Sequence, residues 1–177
     1  MPSTPTNTGG GTTVSFMNTP QAKDDYLLGL NEDFYGKSYW DVLSNDLGGN
    51  SKVLWSIDNG GTATSTMSDL LTPDARAEST STDYSAQGAH IWICADGKVG
   101  YDASSLNSAF RAQLQALNAG QTITDSFTYA IRLGNGTLSW ATATVVYTGV
   151  NDRPVLVSSI ADQQVNEDNA WSFALPM

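Results

Sequence analysis

Alternation of hydrophobic and polar positions dominates the chain and predicts a series of β-strands. Residues 137–150 divide into two faces, with Ala141, Ala143, Val145 and Tyr147 on one and Trp140, Thr142, Thr144 and Val146 on the other. Because successive strand side chains point to opposite faces, such a run has one core side and one solvent side. The same reasoning predicts further strands over residues 21–30, 34–43, 51–57, 90–94, 98–101 and 125–133.

Two of these strands carry more specific expectations. In residues 51–57 the alternation places Val53, Trp55 and Ile57 on one face. The turn Gly134-Asn135-Gly136 joins the last two strands as a hairpin.

Two segments interrupt the strand pattern. Residues 104–117 carry apolar side chains at helical spacing, namely Leu106, Phe110, Leu114 and Leu117, and predict the one helix of the domain. Residues 58–88 are rich in Thr, Ser, Asp and Gly and predict a long polar excursion with a short helical turn near residues 67–71. The sequence therefore predicts an all-β domain with one inserted short helix.

The two ends of the chain differ from its middle. Residues 1–20 have the composition of a flexible linker, and residues 21–150 hold the predicted domain. Residues 151–177 are expected to be an interdomain linker followed by the first strands of another domain, cut short. No stretch resembles a signal peptide or a transmembrane helix, so export would be directed from elsewhere in a longer parent, and membrane insertion is not expected.

Composition and charge narrow the function classes. The 177 residues are 40 % hydrophobic and only 15 % charged, which favours an all-β extracellular domain. Eighteen acidic residues against eight basic ones give a net charge of −10, which disfavours nucleic acid and anionic lipid and suits hard divalent cations. Cys94 is the single cysteine and sits in an alternating run, so it is interpreted as a buried structural thiol.

Nothing in the sequence indicates a reaction. The single histidine, His90, stands at a strand start without a nucleophile signature nearby, and it is interpreted as structural or solvent-facing. Pairs of carboxylates arise by chance on so acidic a surface. We therefore predict that the protein is not an enzyme.

Five segments occur in an order typical of one family. They are Ala22-Lys23-Asp24-Asp25, Asp41-Val42-Leu43-Ser44-Asn45-Asp46, Asp96-Gly97-Lys98-Val99-Gly100-Tyr101-Asp102, residues 120–129 and residues 143–155. Together they resemble the VCBS-type repeat of giant bacterial RTX adhesins. The resemblance implies an immunoglobulin- or cadherin-like Greek-key β-sandwich, in a tandem stalk at the cell surface that is exported by type I secretion and stiffened by calcium. Residues 160–173 look like the start of a following cadherin-like domain.

The expected calcium ligands stand at the domain junctions. Asn151 and Asp152 follow the last strand, a proline at 154 stiffens the connection, and Glu167 and Asp168, with Asp162, are expected partners. Glu32 and Asp33 are expected at the other end of the domain, facing a preceding repeat. Turn formation without metal is the open alternative for these acids. The family's further acidic positions after residue 46 and near residues 132–136 are missing, so the predicted site is interdomain.

Two further expectations remain open. The spacing Asp125-Ser126-Phe127-Thr128-Tyr129 is that of a tyrosine corner, which is favoured over metal binding for Asp125 and Tyr129. The predicted function is a spacer whose partners are neighbouring repeats. The alternative is a carbohydrate- or peptide-binding module, located near residues 58–88, for which Trp40, Trp55, Trp92, Trp140 and Trp171 could supply stacking surfaces. The excursion and the helix could also contact the neighbouring repeat.

Overall fold

The structure, a computed structural model, describes residues 21–59 and 69–150. Within these ranges the chain forms two four-stranded sheets and one α-helix, with short 3₁₀ turns between them. The elements are β1 (Asp25–Asn31), β2 (Lys37–Trp40), β3 (Val53–Asn59), β4 (Asp83–Tyr84), β5 (His90–Ile93), β6 (Val99–Asp102), α1 (Ser108–Leu114), β7 (Thr122–Arg132) and β8 (Leu138–Thr148). The predicted all-β class with one inserted helix is confirmed.

The two sheets enclose one hydrophobic core. The strand order is β1-β8-β7-β3 in the first sheet and β2-β6-β5-β4 in the second. Buried side chains from both sheets form a single cluster, with Phe127, Val145 and Tyr147 from the first sheet and Ile91 and Tyr101 from the second. The described chain therefore has a two-layer β-sandwich arrangement.

Strand β1 pairs with β8 in parallel, whereas every other strand pair in the described part of the chain is antiparallel. Its register runs from Asp25 opposite Ala143 to Asn31 opposite Thr148. Parallel strands run in the same direction, so both finish at the same end of the sheet. The chain therefore leaves β8 at the end of the domain where β1 also stops, and this determines which residues meet at the exit.

The hairpin of β7 and β8 follows the predicted pattern. Ala141, Ala143, Val145 and Tyr147 are buried, while the residues between them are exposed or half-buried. The two strands pair over their full lengths, from Thr122 opposite Thr148 to Arg132 opposite Leu138. This confirms the predicted hairpin, because one face of β8 packs on the core and the other faces solvent.

Strand β3 departs from the predicted face. Leu54 and Ile57 are buried, whereas Val53 is 43 % exposed, so Val53, Trp55 and Ile57 do not share a face. The cause is a shift of register between Leu54 and Ser56 in the pairing with β7. A bulge places an extra residue on one strand and reverses the inward and outward positions beyond it. Trp55 packs outside the core, 4.8 Å from the guanidinium of Arg132.

The helix is shorter than predicted. A 3₁₀ turn at Ala103–Ser105 comes first, and α1 begins after Asn107, whose Oδ1 accepts a hydrogen bond from the Phe110 N–H at 2.8 Å. Asparagine at this position caps a helix because its side chain satisfies a free backbone donor. The predicted apolar positions are confirmed, since Leu106, Phe110 and Leu114 are all buried and Leu117 packs against the core just beyond the helix.

The described half of the polar excursion is tied to the sandwich. A 3₁₀ turn at Asp69–Leu71 matches the predicted helical turn, and β4 was not predicted. The Asp74 carboxylate accepts a hydrogen bond from the Ile57 N–H at 2.7 Å, and the Ala86 N–H donates to the Ser126 carbonyl at 2.8 Å. The excursion is therefore an ordered cover over β3 and β7 in its residues 69–88.

Candidate functional site

Glu32 lies at the end of the domain where the chain leaves β8. Its carboxylate Oε1 accepts a hydrogen bond from the Val150 N–H at 2.9 Å, and its own N–H donates to the Thr148 carbonyl at 3.2 Å. The side-chain amide of Gln115, just past α1, donates to the Glu32 carbonyl at 3.1 Å. The end of β8 and the residue that follows α1 thus both hold this glutamate in place.

The second carboxylate oxygen of Glu32 has no hydrogen-bond partner in the part of the chain that the structure describes. The residue is only 1 % exposed, and Oε2 is buried without a hydrogen-bond donor among the described residues. A buried carboxylate oxygen without a donor costs several kilocalories per mole, so it calls for a proton donor or a cation. An oxygen of this kind fits a hard divalent cation, which binds carboxylate oxygens.

The backbone beside Glu32 is tightly packed. The Gly149 N–H donates to the Gln121 carbonyl at 2.8 Å, and the Gly120 N–H donates to the Gly149 carbonyl at 2.9 Å. A Cβ on Gly149 would lie 2.3 Å from the Asn118 carbonyl oxygen. Only glycine fits this close approach, which places the end of β8 directly against the loop that follows α1.

The structure corrects the expected position of Glu32 and Asp33. They were expected at the opposite end of the domain from the exit, but the parallel pairing of β1 and β8 puts Glu32 beside Val150. Asp33 is exposed in the following turn, where the Phe34 N–H donates to the Asn31 carbonyl at 3.1 Å. Glu32 thus contacts Val150, the residue that precedes Asn151 in the sequence.

The other predicted ligands lie outside the described residues. They are Asn151, Asp152, Asp162, Glu167 and Asp168. Within residues 21–59 and 69–150, no group of three or more histidine, cysteine, aspartate or glutamate side chains is arranged to hold a metal ion. Of the two predicted ligands that the structure describes, Glu32 is buried beside the end of β8 and Asp33 is exposed.

A second oxygen-rich cluster surrounds the hydroxyl of Tyr129, which is fully buried in β7. The hydroxyl lies 2.8 Å from the Lys23 carbonyl, 2.8 Å from Asp25 Oδ2, 3.2 Å from the Val42 carbonyl and 3.1 Å from Asp46 Oδ1. A phenol carries one proton, so it can donate to only one of these four acceptors at a time. The four acceptors therefore share the single proton that the Tyr129 hydroxyl can donate.

Burial and crowding change the acidity of this cluster. Asp25 is 9 % exposed, and burial raises its pKa from 3.8 to about 6, with repulsion from Asp46 acting in the same direction and the Tyr129 hydrogen bond opposing it. Burial likewise raises the pKa of Asp46. The Lys23 N–H also donates to Asp46 Oδ1 at 2.7 Å, so the segments before β1 and after β2 are joined directly as well as through the Tyr129 hydroxyl.

The predicted tyrosine corner is not formed. In such a corner the hydroxyl bonds to backbone a few residues upstream. The Tyr129 hydroxyl instead meets Lys23 and Val42, which lie 106 and 87 positions away in sequence. Three of the segments that carry the family resemblance thus meet at one cluster, and their acids serve to join distant segments.

Asp125 belongs to a separate buried network. Its carboxylate accepts hydrogen bonds from the hydroxyls of Ser85 and Tyr101 and from the N–H groups of Gln87 and Ser126. Burial raises its pKa, against the lowering effect of these four donors. Because its oxygens are already satisfied, Asp125 anchors the end of the polar excursion to the core and is not a metal ligand in this arrangement.

The tryptophans do not form a common platform within the described residues. Trp92 is 3 % exposed, Trp40 packs edge-on against Tyr101 in the core at 5.4 Å, and Trp140 is 47 % exposed on β8. Trp171 lies outside the described residues. Aromatic side chains do gather on the outer face of the second sheet, where Tyr84, His90, Trp92 and Tyr39 are neighbours.

Cys94 is half-buried and not part of the core, which corrects the expectation of a buried thiol. It follows Ile93 at the end of β5, so the alternation that buries Ile91 and Ile93 in the core places Cys94 on the opposite face of the sheet. Burial still raises the pKa of its thiol, which makes the thiolate form less available.

No protein-family model and no curated protein matches the chain. In the described residues, no helix is both long enough and apolar enough to cross a membrane.

Proposed function

We propose that this chain is a calcium-stiffened spacer repeat of a large extracellular adhesin. The observation that carries the proposal is the buried Glu32 carboxylate at the end of β8, with Oε1 held by Val150 and Oε2 without a hydrogen-bond donor among residues 21–59 and 69–150. The ordered family segments and the acidic composition support the same function. The proposed role is mechanical and involves no chemical step.

The proposed site uses residues on both sides of the junction. Glu32 supplies a preplaced carboxylate, and Asn151 and Asp152 follow Val150 directly in sequence with side-chain oxygens of the type that calcium binds. Asp33 stands next to Glu32, while Asp162, Glu167 and Asp168 would supply further oxygens from the following segment. Calcium would neutralise these charges and link the acids to one another.

The architecture around Glu32 suits a load-bearing junction. Gly149 is packed against the loop after α1, and Gln115 holds the backbone of Glu32, so the exit is braced on both sides. A cation bound there would remove hinge freedom between this domain and the next. A loose site would suffice, because extracellular calcium modules bind with Kd on the order of 10⁻⁴–10⁻³ M.

The fold supports an immunoglobulin- or cadherin-like identity as part of the same proposal. Two four-stranded sheets with a first strand that pairs in parallel with the last are compatible with such a sandwich. We propose on the same grounds that the neighbouring repeats of the same polypeptide are its main partners, at the bacterial surface after type I export.

Calcium titration of the full 177-residue chain by isothermal calorimetry tests the proposal. The variant Glu32→Gln keeps an Oε1 that can accept the Val150 hydrogen bond but removes the charge and the second carboxylate oxygen. We expect it to weaken calcium binding by roughly tenfold or more, as the loss of a charged oxygen ligand implies.

The matched control is Asp96→Asn on the exposed turn between β5 and β6, where Asp96 Oδ1 accepts a hydrogen bond from the Lys98 N–H. It removes the same charge from the protein at a different place and should leave calcium affinity unchanged. If both variants bind calcium as the parent does, or if the parent binds none, Glu32 and its neighbours are turn formers and the proposal fails.

A further inference from the structure

An open groove of about 610 Å³ lies on the outer face of the second sheet. It is lined by Glu78, Ser79, Ser81 and Tyr84 from the polar excursion and by His90 from β5. The excursion thus forms one wall, and the sheet forms the floor. The groove lies apart from the junction acid Glu32 and contains none of the predicted calcium ligands.

Strand register explains why aromatic rings collect beside this groove. Tyr84 pairs with His90, and Tyr39 and Trp92 both pair with Gly100, so their side chains share the outer face. Ring centroids are 5.4 Å apart for Tyr84 and His90, 5.5 Å for His90 and Trp92, and 6.0 Å for Trp92 and Tyr39. The result is a continuous row of four rings across the sheet.

Gly100 is what allows the row to be continuous. A Cβ at this position would lie 2.1 Å from the Trp92 ring, so only glycine lets the indole lie flat across β6. Trp92 is consequently 3 % exposed and forms the base of the row, while Tyr84 and Tyr39 are 47 % and 53 % exposed. The exposed tyrosine rings are the surfaces that a ligand can stack on.

The polar groups of the groove are balanced in charge. Glu78 forms an ion pair with Lys37 at 2.5 Å, and the Lys37 ammonium lies 5.6 Å from the centre of the Trp92 ring. His90 Nε2 lies 3.1 Å from the Ser81 carbonyl, which can only accept, so this nitrogen carries a proton. Carboxylate, hydroxyl and imidazole groups stand beside exposed rings without an excess of charge of either sign.

These features favour a sugar over a peptide. A pyranose presents an apolar face that stacks on an aromatic ring and hydroxyls at its edge that bond to carboxylate and serine groups. A peptide added as a strand needs a long free edge, and the edge strand β4 has only two residues, Asp83–Tyr84. The net charge of −10 also disfavours an anionic polysaccharide.

We propose that the groove bounded by residues 78–84 and His90 binds neutral glycan chains by stacking them on Tyr84, with the Glu78 carboxylate and the exposed Ser79 hydroxyl bonding the sugar edges. The spacer would then contribute weak, repeated contacts to a carbohydrate surface, and many copies in one stalk would act together. This binding does not depend on the calcium proposed at the junction.

The experiment is a titration of the ¹⁵N-labelled full chain with maltohexaose, cellohexaose, chitohexaose and mannohexaose, followed by backbone amide shifts with calcium and again with a chelator. We expect at least one glycan to give saturable shifts centred on residues 78–90 in both conditions. Tyr84→Ala should weaken that binding by roughly tenfold, the size expected for loss of one stacking ring.

Tyr26→Ala is the matched control, because Tyr26 is a 72 % exposed tyrosine on β1 in the other sheet. It should leave the affinity unchanged. The proposal is overturned if none of the four glycans shifts residues 78–90, if Tyr84→Ala binds as tightly as the parent while its spectrum shows a folded domain, or if an extended peptide of mixed sequence is the only ligand. Failure of glycan binding leaves the calcium result at Glu32 untouched, so the two proposals fail separately.

Discussion

Replacing Tyr129 by phenylalanine removes the one proton donor at the centre of the Asp25 and Asp46 cluster. Both carboxylates and the Lys23 carbonyl lie within 3.1 Å of its hydroxyl, and the ring is fully buried. A hydrogen bond to a charged group contributes about 1.5–3 kcal/mol, and its loss leaves buried oxygens without a donor. We therefore expect the Tyr129→Phe variant to lose about 3 kcal/mol of unfolding free energy near pH 7.

The loss should shrink in acid. Burial raises the pKa of Asp25 to about 6, and the Tyr129 hydrogen bond holds it below the value that burial and repulsion alone would give. Without the hydroxyl, Asp25 takes up a proton at higher pH and can itself donate to a neighbouring oxygen. Since one pKa unit corresponds to about 1.4 kcal/mol, the destabilisation near pH 5 should be smaller by about that amount.

Urea unfolding, followed by tryptophan fluorescence, measures the loss of unfolding free energy near pH 7 and near pH 5. Tyr147→Phe is the control, because Tyr147 is also fully buried but its hydroxyl donates to the neutral hydroxyl of Tyr101 at 3.0 Å. It should cost about 1 kcal/mol at either pH, the usual size of a neutral hydrogen bond. If the two variants lose equal free energy at both pH values, the Tyr129 cluster does not carry the electrostatic role described above.

Three further changes test other parts of the structure. Burial raises the pKa of Asp25 from 3.8 to about 6, so protonation of Asp25 stabilises the fold as the pH falls through that window. Asp25→Asn should remove up to about 3 kcal/mol of this gain in urea unfolding. The same pH dependence of stability in the parent and the variant would contradict this prediction. Gly149→Ala places a Cβ 2.3 Å from the Asn118 carbonyl and should cost about 2 kcal/mol in the same assay, whereas an unchanged midpoint would refute the close packing of the exit. Gly100→Ala places a Cβ 2.1 Å from the Trp92 ring, so near-ultraviolet circular dichroism should change and stability should fall by about 2 kcal/mol; an unaltered spectrum would count against the flat seating of the indole.

The faces of a strand could be predicted from the sequence where one face packs on the core and the other faces solvent. The two faces of β8 were read directly from the alternation of Ala143, Val145 and Tyr147 with polar neighbours, and the structure confirms them. In β3 the same rule failed after Leu54, because a bulge depends on how the partner strand is placed and the apolar run around Trp55 fits either phase. Alternation reports the period of a strand but not its register.

The candidate site depended on information that local patterns do not contain. The sequence predicts Glu32 at the end of the domain opposite to Val150, and this is wrong because the parallel pairing of β1 with β8 is a property of the whole sheet. Gln115 and Gly149 carried no sequence signal of their own, since their roles arise only once α1 and the end of β8 are packed together.

The clusters around Tyr129 and Asp125 show the same limit. The spacing of the two residues suggested a single tyrosine corner, but they serve two networks that are held by different parts of the chain. Ser85 and Gln87, which bond Asp125, come from a segment that composition could identify only as a loop. Long-range hydrogen bonds of this kind follow from the fold and cannot be read from residue order.

Thermal unfolding of the full chain with and without calcium tests the central claim most directly. With Kd in the range of extracellular modules, about 10 mM calcium should raise the midpoint by about 4–8 °C. Glu32→Gln, and separately Asp152→Ala combined with Glu167→Ala, should cut that rise by at least about half, while Asp96→Asn should keep it. A midpoint that calcium leaves unchanged in the parent, or raises equally in all variants, would contradict a calcium site at the exit of this domain.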